Sequence, residues 1–568
     1  MRRQNTQGIK RLITVLTLIL SLLISTTAGA GTGLDLFLTP KQVYLAAEYK
    51  ALNQSTTSIA AYWDKIYQHN VKPFLDSTVR QDADFQINVS GLKTTNDTVY
   101  TALELLNNSK VSLQTNFDVY NKKDYTNLGW SVKDKHLLGL ELYTDNTYHA
   151  VRLPEIYDKY LVMDSKEVKK PAPNQADAGQ QLAGLVNLFP QGFYKSYQAV
   201  QLYSLGQEEI DIIKGLGKIY ADSVTDKNVT MKQGVFTQGT TSIPTRVFNI
   251  AFTEQEYKLL LKKIAYRLSF DDQVIKVLTK KQNQFAAAFA TQSQAAFPEM
   301  YKPMTPAQMK KQMAAFYRDF NLSLNKTKLP KGLKMIVQLD ENDNIIDRQI
   351  AFIADNSITY MRKAGWKSNE GLANWFALLR TTDKSGVNEI RAGGTNGHPD
   401  GLTDKGSVIL TVKETVKQKT TQLFRADSDY TYTRDDLNKD LKADYRIQFN
   451  TGTTIEKFGG TLESTEKNKD NNKVRENQAK FTLNLDGISS QDFKGTVITM
   501  TGTTKTEFGK PFTGPAITPA NSVDLLKLKD QEIDKLFEDL DKGFNKFITE
   551  NKEVFGSFGP IPSPALLF

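Results

Sequence analysis

The chain holds four histidines, His69, His136, His149 and His398, and no cysteine. Thiol nucleophiles, iron–sulfur clusters, cysteine-ligated zinc and disulfides are thereby excluded. His136 and His149 fall on or near two strands of one expected hairpin, and two nearby imidazoles suit zinc or copper. No third ligand stands at supporting spacing, so ordinary strand histidines are the better reading. Asp340-x-Asn342-x-Asn344 matches the start of a calcium-binding EF-hand loop. Its sixth position is Ile345, where glycine must make the turn, and its twelfth is Ala351, where a glutamate must supply two oxygens. Calcium is rejected, and a hairpin turn accounts for the same residues. Gly215-Leu216-Gly217 lacks the third glycine and the preceding strand of a dinucleotide fingerprint. There is no GxxxxGK[ST] phosphate loop, no G-x-S-x-G elbow and no H-E-x-x-H. The stretch Arg391–Gly401 mixes glycines with Arg391, His398 and Asp400, a composition that suits a site loop but more often a surface connection. With 63 acidic residues, no carboxylate pair is singled out for a glycosidase. The chain therefore reads as non-enzymatic, with no cofactor and no metal.

Such chemistry as exists must be carried by a large globular body. The 568 residues are 40% hydrophobic and 24% charged, near the globular average. The basic residues are dispersed, which argues against nucleic acid as a partner. Arg2, Arg3, Lys10 and Arg11, the apolar run Leu12–Ile24 and the small residues ending in Ala28-Gly29-Ala30 have the form of a secretory signal peptide over residues 1–30. A retained amino-terminal anchor is the minor alternative, since the apolar run is short of the ~20 residues that span comfortably. Removing four basic residues from a net charge of +9 leaves +5, enough for mild attraction to an anionic cell-wall polymer or membrane surface. The expected location is secreted or at the cell surface.

Behind the signal, the period of the apolar residues organises the chain. Residues 31–252 form an amino-terminal α+β half. Thr39 and Pro40 open a helix that Pro73 ends. A meander follows over about 84–165, with a turn at Asn127 and a hairpin around Thr144-Asp145-Asn146. Lys169–Asn174 is a break, residues 175–225 favour helix, and Val235–Phe252 looks extended. Residues 253–520 hold helices and then a large β-meander. Thr253 and Glu256 make a capping box, and Tyr257, Leu260, Leu261, Ile264 and Leu268 lie on one helical face. Thr305-Pro306 starts another helix, with Met309, Met313, Phe316 and Phe320 on one side. From Leu333 the strands are persistent, beginning with the hairpin Leu333–Ile353, and Lys467–Lys473 is a hairpin tip. Asn521-Ser522 is expected to cap a carboxy-terminal helix over 521–550, and 551–568 is expected to be a disordered tail. Segregated runs of strand and helix predict an α+β fold, with two curved antiparallel meanders packed against helices.

The strand, acidic turn and strand of Leu333–Ile353, and a similar run over Val111–Met163, resemble the hairpins of lipoprotein-carrier-like half-barrel proteins, as found in large exported proteins of Gram-positive bacteria. Such half-barrels hold acyl chains or lipoproteins between a curved sheet and helices and have no catalytic residues. The resemblance implies a non-enzymatic envelope protein that binds a lipid or other apolar or amphiphilic ligand, or an envelope partner. Leu260, Leu261, Ile264 and Leu268 are then the candidate pocket lining. The alternatives are a structural or adhesive surface protein without a pocket, and a hydrolase acting on cell-wall polymer.

Overall fold

The computed structural model describes residues 38–94, 96–164, 206–289, 303–354, 357–368, 370–435 and 437–555. The signal segment, the break at Lys169–Asn174 and the tail from Gly556 lie outside the described residues. Strands β1–β6 are Val79–Ser90, Ser109–Asp118, Lys123–Val132, Lys135–Thr144, Tyr148–Leu153 and Tyr157–Asp164. The hairpin Val229–Gln238 and Thr241–Phe252 gives β7 and β8. Strands β9–β13 are Leu333–Leu339, Ile345–Ala354, Ser357–Lys367, Ala373–Thr382 and Val387–Gly397. Strands β14–β20 are Thr403–Val416, Lys419–Arg434, Asn438–Asn450, Ile455–Lys469, Val474–Gly487, Val497–Phe508 and Ser522–Asp524.

All these strands belong to one sheet. Pairing runs from β7 in sequence order to β19, which pairs with β1, and continues from β1 to β6. Every pairing is antiparallel until β20 adds parallel to β6. The two separate meanders expected from the sequence are therefore corrected: β1 is held along its length by β19, Val79 against Phe508 through to Ser90 against Val497, and by β2 on its other side. A half-barrel is a sheet closed on its own helices. Here both hairpin segments lie in one twenty-stranded sheet, so the resemblance to lipoprotein-carrier-like half-barrels, and the Gram-positive attribution with it, does not stand.

Most helices gather toward the two ends of this sheet, while Asp97–Asn107 lies beside β1 between them. Helix α1 is Pro40–Ile66, capped by Thr39 and Gln42. It passes through a π-helical turn at Tyr67–Val71 into α2, Lys72–Asp76. Pro73 thus sits in the first turn of α2 rather than ending α1, because an orphan donor there costs proline nothing. Helices α3 (Asp97–Asn107), α4 (Gln207–Ser223), α5 (Glu254–Phe270), α6 (Asp272–Phe289) and α7 (Pro306–Lys326) follow. Helix α8 is Asp530–Glu550, and Lys552–Phe555 is a short α9 at the head of the expected tail. Asn521-Ser522 does not cap α8; Ser522 begins β20 instead. Asn127 is not a turn but lies inside β3, opposite Gln114 and Glu141.

The main core packs α1 and α4–α7 on β7–β11, with Tyr44, Phe248, Tyr257, Phe320 and Val337 fully enclosed. The Gly215-Leu216-Gly217 segment lies inside α4, where a Cβ on Gly217 would stand 2.7 Å from the Leu52 side chain. Its glycine serves a close helix crossing, not a phosphate.

Candidate functional site

The hairpin chemistry places the sequence-nominated polar residues as follows. Asp340 closes the β9–β10 turn: its carboxylate accepts from the backbone N–H groups of Asn342 and Asn344 at 2.9 and 2.8 Å. His136 lies 2.9 Å from Glu155, while His149 lies 3.3 Å from Thr144 Oγ1 on the opposite face of the sheet. They share no ligand set. Arg391–Gly397 is strand β13 rather than a loop; His398 follows it and bonds Asp404. Leu260, Leu261 and Ile264 lie enclosed in the main core, and Leu268 packs against its rim.

Following register from strand to strand shows what the sheet presents instead. On the face that carries the main core, a cross-strand row runs Leu379, Ile390, Val412, Phe424 and Phe449 from β12 to β16. Further on, Leu462, Phe481, Met500 and Ile87 form a row from β17 to β1. Phe85, Val111, Trp130 and Leu138 carry the same face from β1 to β4. The opposite face carries an apolar cluster of Phe236, Ile346, Ala364 and Phe376 at β7–β12 and is charged beyond it. It holds the row Lys442–Glu463–Lys480, Arg446 paired with Asp427 and Asp429, and Arg380 paired with Glu389. Period-2 alternation along each strand and strict register between strands make this segregation.

Apart from the run α1–α2, the helices stand on the apolar face toward its ends. The main-core helices stand on β7–β11, and α8 packs on β6, with α9 bringing Phe555 against Trp130. Between them the apolar residues are open: Trp375 is 38% exposed, Ile390 45%, Phe85 44% and Met500 40%. From β12 to β4 this face spans about 50 Å across the strands. Monomeric soluble proteins rarely leave so wide an apolar surface uncovered, and such surfaces mark binding.

One element crosses the open face. The run α1–α2 is tied at one end to β10, where Glu48 pairs with Arg348. At the other it reaches β16–β18 and the β19–β1–β2 seam. There Glu466 accepts from Lys439 at 2.6 Å with His69 3.0 Å away, Arg475 donates to the His69 carbonyl at 2.8 Å, and Phe74 packs on Val79, Phe117 and Phe508. From Glu48 to His69 the helix covers about 32 Å. Along the sheet, seven strand spacings plus the eight residues from Phe458 to Glu466 make a path of roughly 43 Å. The run thus spans most of that diagonal.

Electrostatics divide in the same way. Burial pushes the Glu48 carboxyl up, against the Arg348 guanidinium that pulls it down. The Tyr44 and Tyr220 hydroxyls meet at 2.7 Å beside it. Burial also pushes the Glu466 carboxyl up, but the hydrogen bonds from His69, Lys439 and Asn468 and the field of Arg475 outweigh it and hold it far below its ordinary value. A polar basin of about 610 Å³ opens on the charged face, lined by Asp82, Asp84, His136, Glu476 and neighbours. Its carboxylates are each engaged by a cation: Asp82 by Arg80 at 3.3 Å, Asp84 by Lys110 at 3.0 Å and Glu476 by Lys469 at 2.8 Å. This is not the arrangement of an acid and a base with separated roles.

The open apolar face escaped residue-level reading because its signal is the register between strands, not any one strand's composition. No protein-family model matches the chain, and no curated protein matches it in sequence. Among solved structures the chain is similar to Pseudomonas aeruginosa OccK5 (OpdH), at 7% identity and a TM-score of 0.23, over 76% of this chain and 98% of that one. It is similar to Acinetobacter baumannii OccAB2 at 8% identity and a TM-score of 0.23, over 76% and 98%. It is also similar to OmpT, an outer membrane protein of Vibrio cholerae, at 6% identity and a TM-score of 0.20, over 76% and 96%.

Proposed function

We propose that the protein is an exported, non-enzymatic component of the bacterial cell envelope that holds the hydrocarbon of an amphiphile against its sheet. The observation that carries this reading is the uncovered apolar face from β12 to β4, crossed by α1 and backed by a charged opposite face. Apolar surface of this extent gains roughly 25 cal/mol for each Å² removed from water, which is the driving force an acyl chain would supply. In this reading the hydrocarbon lies on the open strands, beside the core that Leu260, Leu261 and Ile264 fill.

Titration of the full chain with a fluorescent fatty acid tests this. Saturable binding is expected, weakened at least tenfold by Phe481→Asp or Met500→Asp. Both residues sit on the open face, so the variants should keep their melting temperature within a few degrees. Absence of saturable binding to the unaltered protein would sink the reading and leave a structural or adhesive surface role.

A further inference from the structure

The basin on the charged face lies where two cross-strand rows run side by side. One passes Gln478 of β18, Thr503 of β19, Asp84 of β1, Ser112 of β2 and Gly129 of β3. The other passes Glu476, Lys505, Asp82, Gln114 and Asn127 on the same strands. Residues of both rows line the cavity of about 610 Å³, which has the size of a small-molecule site. Its five strands cover about 19 Å from β18 to β3. Gly129 keeps the floor low, since a Cβ there would stand 2.5 Å from Ser112 Oγ and 3.6 Å from His136 Cε1.

The fixed charges of the basin are matched in pairs. Besides the three ion pairs given above, Lys505 lies 3.4 Å from Glu507 and His136 2.9 Å from Glu155. What remains is neutral and polar. The Gln114 amide donates to Asp82 at 2.9 Å, and its carbonyl oxygen still faces the basin as an acceptor. Among the described residues, none is hydrogen-bonded to the side chain of Asn127, Gln478 or Thr503. A primary amide offers two donors and an acceptor, and a hydroxyl offers both roles. Hydrocarbon has no floor to lie on here, because Ala83 and Leu113 turn their side chains to the other face by strand alternation. A simple ion meets charges already paired. A ligand made of hydroxyls, each both donor and acceptor, matches the open amides and the threonine.

We propose that the basin binds a segment of an uncharged glycan laid across β18 to β3, with Asn127, Gln478, Thr503 and the Gln114 carbonyl as its hydrogen-bond partners. The site lies on the face opposite the hydrocarbon surface and does not depend on it.

The test screens the full chain on an array of neutral and anionic oligosaccharides, followed by calorimetry with the strongest neutral one. Saturable binding to a neutral oligosaccharide is expected. Asn127→Leu and Gln478→Leu should each weaken it about tenfold, the scale of a lost hydrogen bond with its partner left unpaired. Both side chains stand at the surface of the basin, so the melting temperatures should stay within a few degrees. Lys480→Gln, on the same face but outside the basin, should leave binding within twofold. Raising salt tenfold should change the affinity less than twofold, because an uncharged ligand is not subject to screening. Oleate should not compete, since it is directed to the other face; competition would place the glycan on the apolar surface and overturn the assignment. Absence of binding to every neutral oligosaccharide, binding confined to anionic glycans and abolished by salt, or unchanged affinity in both leucine variants would also overturn it. None of these results bears on the uncovered apolar face, which fatty-acid titration reads separately.

Discussion

Glu466 shows how a single residue fastens the crossing helix to the sheet. Its carboxyl is depressed in the folded protein, so the stability it contributes is present above the unfolded value of about 4.3 and is lost as pH falls below that toward the folded value. Glu466→Gln should therefore lower the melting temperature at pH 7 and flatten its decline below about pH 4. Thermal melts between pH 3 and 7 read both effects, and parallel acid limbs for the two proteins would count against it. Leu261 makes the contrasting case. It is enclosed in the core, so Leu261→Ala should cost about 2–5 kcal/mol by loss of contacts and the cavity left behind, measurable by urea titration. The two residues were unequally legible. Leu261 announced itself through the helical period, and the Thr253–Glu256 box through a local spacing that the structure reproduces, with Glu256 held at about 2 chiefly by the Thr253 backbone N–H. Glu466 had no such mark, because its partner His69 is 397 residues away in sequence.

At the scale of elements, the ends of the sheet are closed by helices whose seating depends on close approach. Gly543 in α8 is the clearest instance: a Cβ there would stand 1.9 Å from the Ile156 carbonyl oxygen, which is backbone and cannot move aside. Gly543→Val should lift α8 from β6 and destabilise that end by a few kcal/mol, within the range of overpacking. Limited proteolysis with mass spectrometry should then show new cleavage within 530–555, and an unchanged digest would show that α8 is not seated on this contact. Caps and apolar stripes were enough to place most helices, as at Thr305 with Met309 and Phe320; the order of residues misled elsewhere. It misplaced the start of α8, because Asn521-Ser522 has the composition of a cap whether a helix or a short strand follows. It also read Arg391–Gly401 as a connection: Gly393, Gly394 and Gly397 weaken the strand pattern, yet the pairing of β13 with β12 and β14 holds them extended.

The whole molecule is a meander entered part-way along: the chain lays down β1–β6 first, yet in space they follow β19. Nothing local in Val79–Ser90 distinguishes a strand that begins a sheet from one that continues it. The alternation is the same in both cases, and the partner Val497–Phe508 lies more than 400 residues away. This is why two meanders were legible and their union was not. The union has a mechanical consequence. Thr504 pairs with Ala83 on one side and Asn477 on the other, so proline at this position removes a donor from a central ladder. In the joined sheet, Thr504→Pro should loosen the strands nearest the seam, β1–β3, as well as β18 and β19. Hydrogen exchange would then show faster amide exchange throughout residues 79–132, although the substitution lies far from them in sequence. Strands β7–β10 should keep their protection, because their core with α1 and α4–α7 lies at the other end. If β1–β6 instead stood as a sheet in its own right, its amides would exchange at the rate of the unaltered protein, and only β18 and β19 would respond.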